Sequence, residues 1–172
     1  MSKTYKLCAT ALLSALSVAL NALTVTVAGN AISFTYIPCF IAAMYLGIIP
    51  AATVGFVGDL VAGILFPKGA FNLLISLAST LMGLIPGIVF AVGKKSKRLN
   101  LVISLVSVFL VCSVGINSYA VWTFVSGKYA TYWVYLAARL PLQLLIAVIN
   151  GAILAILQET SALDKLFKKS EQ

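Results

Sequence analysis

Long apolar stretches alternate with short polar breaks along this chain, and six of them follow one another. The first runs from about Lys6 to Val27, where Ala28-Gly29-Asn30 interrupts it. A shorter second stretch covers about Ser33 to Gly47. Pro50 opens the third, which ends at Phe66 before a Pro67-Lys68-Gly69 turn. The fourth covers about Ala70 to Val92, with Gly83, Pro86 and Gly87 expected to bend it. After Lys94, Lys95, Lys97 and Arg98, the fifth covers about Leu99 to Val125 and the sixth about Tyr132 to Leu157. A straight helix needs about 20 apolar residues to cross a bilayer. The pattern therefore predicts an all-α integral membrane protein, a single membrane domain over residues 1–172 with six transmembrane helices.

Composition supports that class, since 62% of residues are hydrophobic and 9% are charged, against about 25% charged in a soluble domain. The lipid bilayer is thus the first partner. The net charge of +8 does not signal nucleic acid, because the basic residues follow the loops. Lys3, Lys6, Lys94, Lys95, Lys97, Arg98, Lys165, Lys168 and Lys169, nine in all, fall on the side of the termini, and only Lys68 and Lys128 fall opposite. Cytoplasmic loops carry such an excess, so both termini are expected in the cytoplasm. The first apolar run, Leu7 to Ala28, is long enough to span and is expected to be retained rather than cleaved.

Charges inside the apolar runs are rare. Asp59 lies within FVGDLVAGILFPKGAFN (56–72), and Arg139 is the other. Such groups are costly in lipid and face protein, water or a ligand. Gln143 is one turn after Arg139, and Asn117 lies at comparable depth in the preceding span. Arginine is suited to hold a planar carboxylate with two parallel bonds. Two readings stay open: an Arg139–Asp59 pair that fixes packing, or Arg139 taking an anionic ligand while Asp59 orients other polar groups. Tyr36, Tyr119, Trp122, Tyr129, Tyr132, Trp133 and Tyr135 crowd toward the outer side. That one-sidedness fits the aromatic wall of a pocket better than an interfacial belt, which forms on both faces. Ala11, Ala15 and Ala19 make a stripe of small residues that admits another helix closely, within the chain or from a partner.

Catalysis finds little support. With no histidine there is no Ser-His or Cys-His dyad. Cys8, Cys39 and Cys112 are single and widely spaced, which reads as free thiols rather than a metal site. Gly87 to Lys95 misses a P-loop: five residues separate its glycines instead of four, and Lys95 stands where Ser or Thr is needed. No enzyme and no cofactor is expected.

The segments SFTYIPCFIAAMYLG, VGDLVAGILFPKGAF, INSYAVW and ARLPLQLLI, with the alanine stripe, resemble the substrate-binding S components of energy-coupling factor (ECF) vitamin transporters, most closely the folate branch. The resemblance covers about residues 8 to 157. It implies a prokaryotic plasma-membrane subunit that captures a vitamin from outside and delivers it with a transmembrane scaffold subunit and two ATPase subunits. Scaffold contact would fall to Ala11, Ala15 and Ala19. Vitamin contact would involve Arg139, Gln143, Asn117, Trp122, Tyr36 and Asp59, with Lys68, Phe71 and Asn72 at the turn. Folate-binding members carry a basic residue near the end of helix one, where this chain has Asn21-Ala22-Leu23. The aromatic and proline that usually follow the GA turn are replaced by Phe71-Asn72-Leu73-Leu74. Pantothenate or another small vitamin is an alternative ligand, and a channel or accessory subunit an alternative role.

The charge distribution gives a direct test of topology. Cysteines placed at Lys68 and Lys128 in a cysteine-free protein should react with an impermeant reagent applied to cells, and those at Ser96 and Ser170 should not. Labelling of Ser96 from outside would invert the arrangement.

Overall fold

A computed structural model describes residues 3–27, 30–67, 72–93, 96–125 and 131–159. Its helices are α1 (Lys3–Ala22), α2 (Tyr36–Tyr45), α3 (Ile48–Leu65), α4 (Leu73–Val92), α5 (Lys97–Val108), α6 (Ser118–Val125) and α7 (Tyr132–Glu159). A π-helical segment, Phe109–Asn117, joins α5 to α6 into one continuous span. Five helices are long and apolar enough to cross a membrane, and α2 is a shorter apolar helix. The six helical units are those that the apolar stretches predict.

One short hairpin interrupts the otherwise helical chain among the described residues. α1 ends at Ala22, before the expected Val27, and β1 (Val25–Val27) pairs antiparallel with β2 (Asn30–Ile32), Val25 opposite Ile32. Thr24, Val25, Thr26 and Val27 are all β-branched, and stiff side chains of that kind favour a strand over a helix. Ala28 and Gly29 of the expected pause lie outside the described residues.

The second stretch forms the shortest of the six helical units. α2 holds 10 residues, about 15 Å at 1.5 Å per residue. Seven of them are buried, and a helix apolar on all sides belongs inside a bundle. Phe40, Ala42, Val54, Val108, Cys112 and Leu154 close the core around it, none more than 1% exposed. Gly47 turns the chain directly into α3. Its φ of 102° is accessible to glycine at little cost, and the Leu46 and Gly47 amides both donate to Ala42 O.

α3 and α4 are antiparallel and very close. A Cβ on Gly55 would run into the Ser79 carbonyl, one on Gly83 into the Ala51 carbonyl, and one on Gly87 into Ile48. Small residues at a membrane helix contact let backbones approach where hydrophobicity supplies no drive. Gly83 and Gly87 serve this contact, and α4 is one helix with Pro86 inside it. α5 and α7 are antiparallel too: Gly151 faces Leu105, and Arg98 pairs with Glu159 at 3.1 Å. Leu12, Ile49, Leu77, Val106 and Val148 are among many large apolar side chains turned outward, as a lipid-facing surface requires.

Gly83→Ala tests this packing. Helix propensity alone favours alanine by about 1 kcal/mol, but overpacking against backbone costs about 1–3 kcal/mol. The variant should melt earlier in detergent, and Gly115→Ala, whose Cβ finds its nearest neighbour at 3.4 Å, should melt close to the parent. Equal melting of Gly83→Ala and the parent would refute the close approach.

Candidate ligand site

One face of α7 carries the polar residues of the bundle interior. Tyr135, Arg139, Gln143, Ile146 and Asn150 recur at helical spacing, and all but the half-buried Gln143 are buried. Arg139 is 3% exposed. Its Nη1 donates to the Tyr135 hydroxyl at 2.6 Å, and the guanidinium carbon lies 5.8 Å from that ring's centre. Arg139 Nε is buried with no partner in the protein. Trp122 Nε1, on α6, is in the same condition. A buried donor left unpaired costs about 1–3 kcal/mol, and native structures keep such groups for a reason such as a ligand or an ordered water.

Tyr36 opens α2 beneath this face. Its hydroxyl meets Ser113 Oγ at 2.6 Å, its ring stacks on Phe40, and it lies within electrostatic reach of Arg139. Ser113 belongs to the π segment, whose carbonyls collect side-chain donors: Ser118 Oγ donates to Ser113 O at 2.7 Å and Tyr132 OH to Val114 O at 3.3 Å. Asn117 closes the segment and is half-buried. Interruptions of this kind occur frequently at functional sites.

Asn150 is wholly buried. Its Nδ2 donates to Ile146 O at 2.9 Å and to Ser33 O at 3.2 Å, while its Oδ1 has no partner. Asn150 is nine residues from the end of α7 at Glu159, about 14 Å along the helix. The chain between β2 and α2 is therefore held inside the bundle instead of at its rim.

The aromatic residues divide. Trp122 and Tyr132 pack edge to face at 5.6 Å and are half-buried, whereas Trp133 is 71% exposed. Tyr119 touches both Trp122 and Tyr132 and is also exposed. The group thus has one side toward the interior and one toward lipid or solvent.

Asp59 and Arg139 are not joined. Ser76 Oγ donates to Asp59 Oδ2 at 2.7 Å, and Asn21 Nδ2 lies 3.5 Å from Oδ1. Among the described residues no ion pair reaches Asp59. The two intramembrane charges form separate polar centres, Asp59 between α1, α3 and α4 and Arg139 on α7. Asn72 caps α4, its Oδ1 accepting from the Leu74 amide at 2.9 Å. Lys68 and Phe71, as well as Lys128 and Tyr129, lie outside the described residues. Ala11, Ala15 and Ala19 are exposed, while Leu13, Ser14 and Ser17 face the bundle. The alanine stripe is therefore not packed inside the chain. All three cysteines are unpaired.

Reading the sequence alone missed Asn150, Tyr135 as the arginine's partner, and the serines that meet Tyr36 and Asp59. Asn150 had a signal: an amide inside the apolar run IAVINGAIL, 11 residues after Arg139 and so on the same helix face.

The fold is similar to that of a solved protein, the crystal structure of FolT bound with folic acid. The TM-score is 0.77 at 20% identity, over 93% of this chain and 95% of that one. A search of curated proteins gave no match. A family model described as ECF-type riboflavin transporter, S component, matches residues 1–162. With nearly the whole length matched, the chain belongs to that family of ECF transporter S components.

Proposed function

We propose that this S component captures folate or a related anionic vitamin at the outer side and delivers it by docking on a scaffold subunit coupled to two cytoplasmic ATPases. The observation that carries the ligand reading is the Arg139 guanidinium, buried with Nε unpaired. No carboxylate of the described chain neutralises it, and a planar anionic group supplies both charge and acceptor. Trp122 and Tyr132 offer flat faces to a heteroaromatic ring, with Trp122 Nε1 as a second donor. Asn117, Gln143 and Tyr36 complete the polar lining, and Lys68, Phe71 and Asn72, which follow α3 in the sequence, are further candidates for contact. Asp59 orients the groups around it rather than touching the vitamin. A ligand pocket of this sort is mainly apolar with a few placed polar groups.

Riboflavin is the second reading, favoured by the name of the matched family and by the aromatic pair. It lacks a carboxylate, so Arg139 separates the two. For docking, the outward stripe Ala11, Ala15 and Ala19 supplies a smooth face for a partner helix. The chain itself is a binding subunit of a transporter and not an enzyme.

Purified protein should carry a vitamin that mass spectrometry can identify, and direct titration should rank folate above riboflavin and pantothenate. Arg139→Lys keeps the charge and loses the fork. It should weaken binding by about ten- to a hundredfold, the equivalent of about 1.5–3 kcal/mol for a charge-assisted bond. Replacing Ala11 and Ala15 with tryptophan should stop uptake and leave that affinity within about twofold. Tight riboflavin binding unaffected by Arg139→Lys would overturn the anionic ligand, and equal loss of binding and uptake in the tryptophan variant would overturn the docking face.

A further inference from the structure

The Asp59 centre is built unlike the rest of the interior. Asp59 lies in the middle of α3 and both its oxygens face donors: Ser76 Oγ at 2.7 Å and Asn21 Nδ2 at 3.5 Å. Both carboxylate oxygens keep acceptor capacity beyond these two bonds. An isolated charge within an apolar bundle requires a partner, yet among the described residues no lysine or arginine reaches it, and Arg139 is committed to Tyr135. Beside the carboxylate is a cavity of about 10 Å³, bordered by Ser17, Asn21, Thr35 and Ser79 among others, which is about the room one water needs.

We propose that this cavity is a sodium site, with Asp59 supplying the charge and the surrounding hydroxyl and amide oxygens the coordination. Oxygen donors suit a hard cation, and here they outnumber the sulfurs of Cys39 and Met82 on the same wall. One carboxylate balances one positive charge, whereas calcium sites gather several acidic groups and magnesium keeps its own waters. Among the described residues no three acidic, thiol or imidazole groups gather to hold a metal of higher charge. The cavity is at the lower limit of the room one water needs, which favours sodium, smaller than a water molecule, over potassium, which is about water-sized. The walls are firm: Gly58 lies against Ser17, so α1 and α3 cannot slide freely here. Thr35 joins this site to the chain leading into α2, since its hydroxyl meets Ser33 Oγ at 2.9 Å and Ser33 O accepts from Asn150. Sodium would thus clasp α1, α3 and α4 to the segment beneath the vitamin site. This inference does not rest on the vitamin reading.

The test uses vitamin-free purified protein in detergent. Binding of ²²Na⁺ should saturate at one ion per chain. The melting temperature should rise with sodium chloride relative to N-methyl-D-glucamine chloride at equal ionic strength, with potassium chloride giving less. Asp59→Asn should abolish both effects. Because that variant risks poor folding, Ser79→Ala serves as the milder case and should weaken sodium binding by about tenfold. Equal melting in all three salts, or undiminished ²²Na⁺ binding by Asp59→Asn or Ser79→Ala, would overturn the proposal. So would stabilisation by acid alone without a sodium effect, which would make Asp59 a protonated carboxyl; Cys39 is the other titratable group lining the cavity. Vitamin affinity enters none of these readouts, so the two proposals stand or fall separately.

Discussion

The hydrogen bond from Asn150 to the Ser33 carbonyl joins residues 117 positions apart and ties the chain entering α2 to α7. Backbone that leaves a helix within a membrane has no water to satisfy it and is tolerated only where protein does so. Asn150 meets that requirement for the chain entering α2, and so allows α2 to begin inside the bundle with 10 residues in place of a full span. The polar centres follow from it. Tyr36 at the start of α2 is brought against Ser113, and Thr35 against the Asp59 cavity. A second helix of full length would fill that interior with aliphatic side chains.

Two different packing devices frame this arrangement. Between α3 and α4 the glycines remove side chains so that backbone meets backbone, giving a rigid wall. Between α5 and α6 the π segment does the reverse, widening the helix where the Ser113 and Val114 carbonyls accept from Ser118 and Tyr132 and the Ser113 hydroxyl meets that of Tyr36. Close packing and a widened span thus flank the same interior, and the unpaired donors of Arg139 and Trp122 lie on α7 and α6.

The six apolar segments, the lone charges and the small-residue stripe were legible because each depends on local composition. The length of α2 was not: Ser33 to Gly47 reads as equally apolar whether it crosses lipid or lies in a core. The hairpin was hidden for a similar reason, since Thr24 to Val27 continues the hydrophobicity of α1 and differs only in β-branching. Residue spacing placed Arg139 and Gln143 on one face correctly, but it could not decide whether Asp59 met Arg139. That depends on how α3 and α7 are rotated, and rotation puts Asp59 against Ser76 and Asn21. The π segment was beyond local reading, because FLVCSVGIN carries the same apolar pattern whether its backbone bonds run to the fourth or the fifth residue.

The central claim is that the buried donors on α6 and α7 exist for the vitamin. An experimental structure of the vitamin-loaded protein measures this directly. The account predicts an acceptor atom of the vitamin at about 2.7–3.2 Å from Arg139 Nε and its aromatic ring against Trp122. A vitamin bound elsewhere, with Arg139 Nε still unpaired, would contradict it.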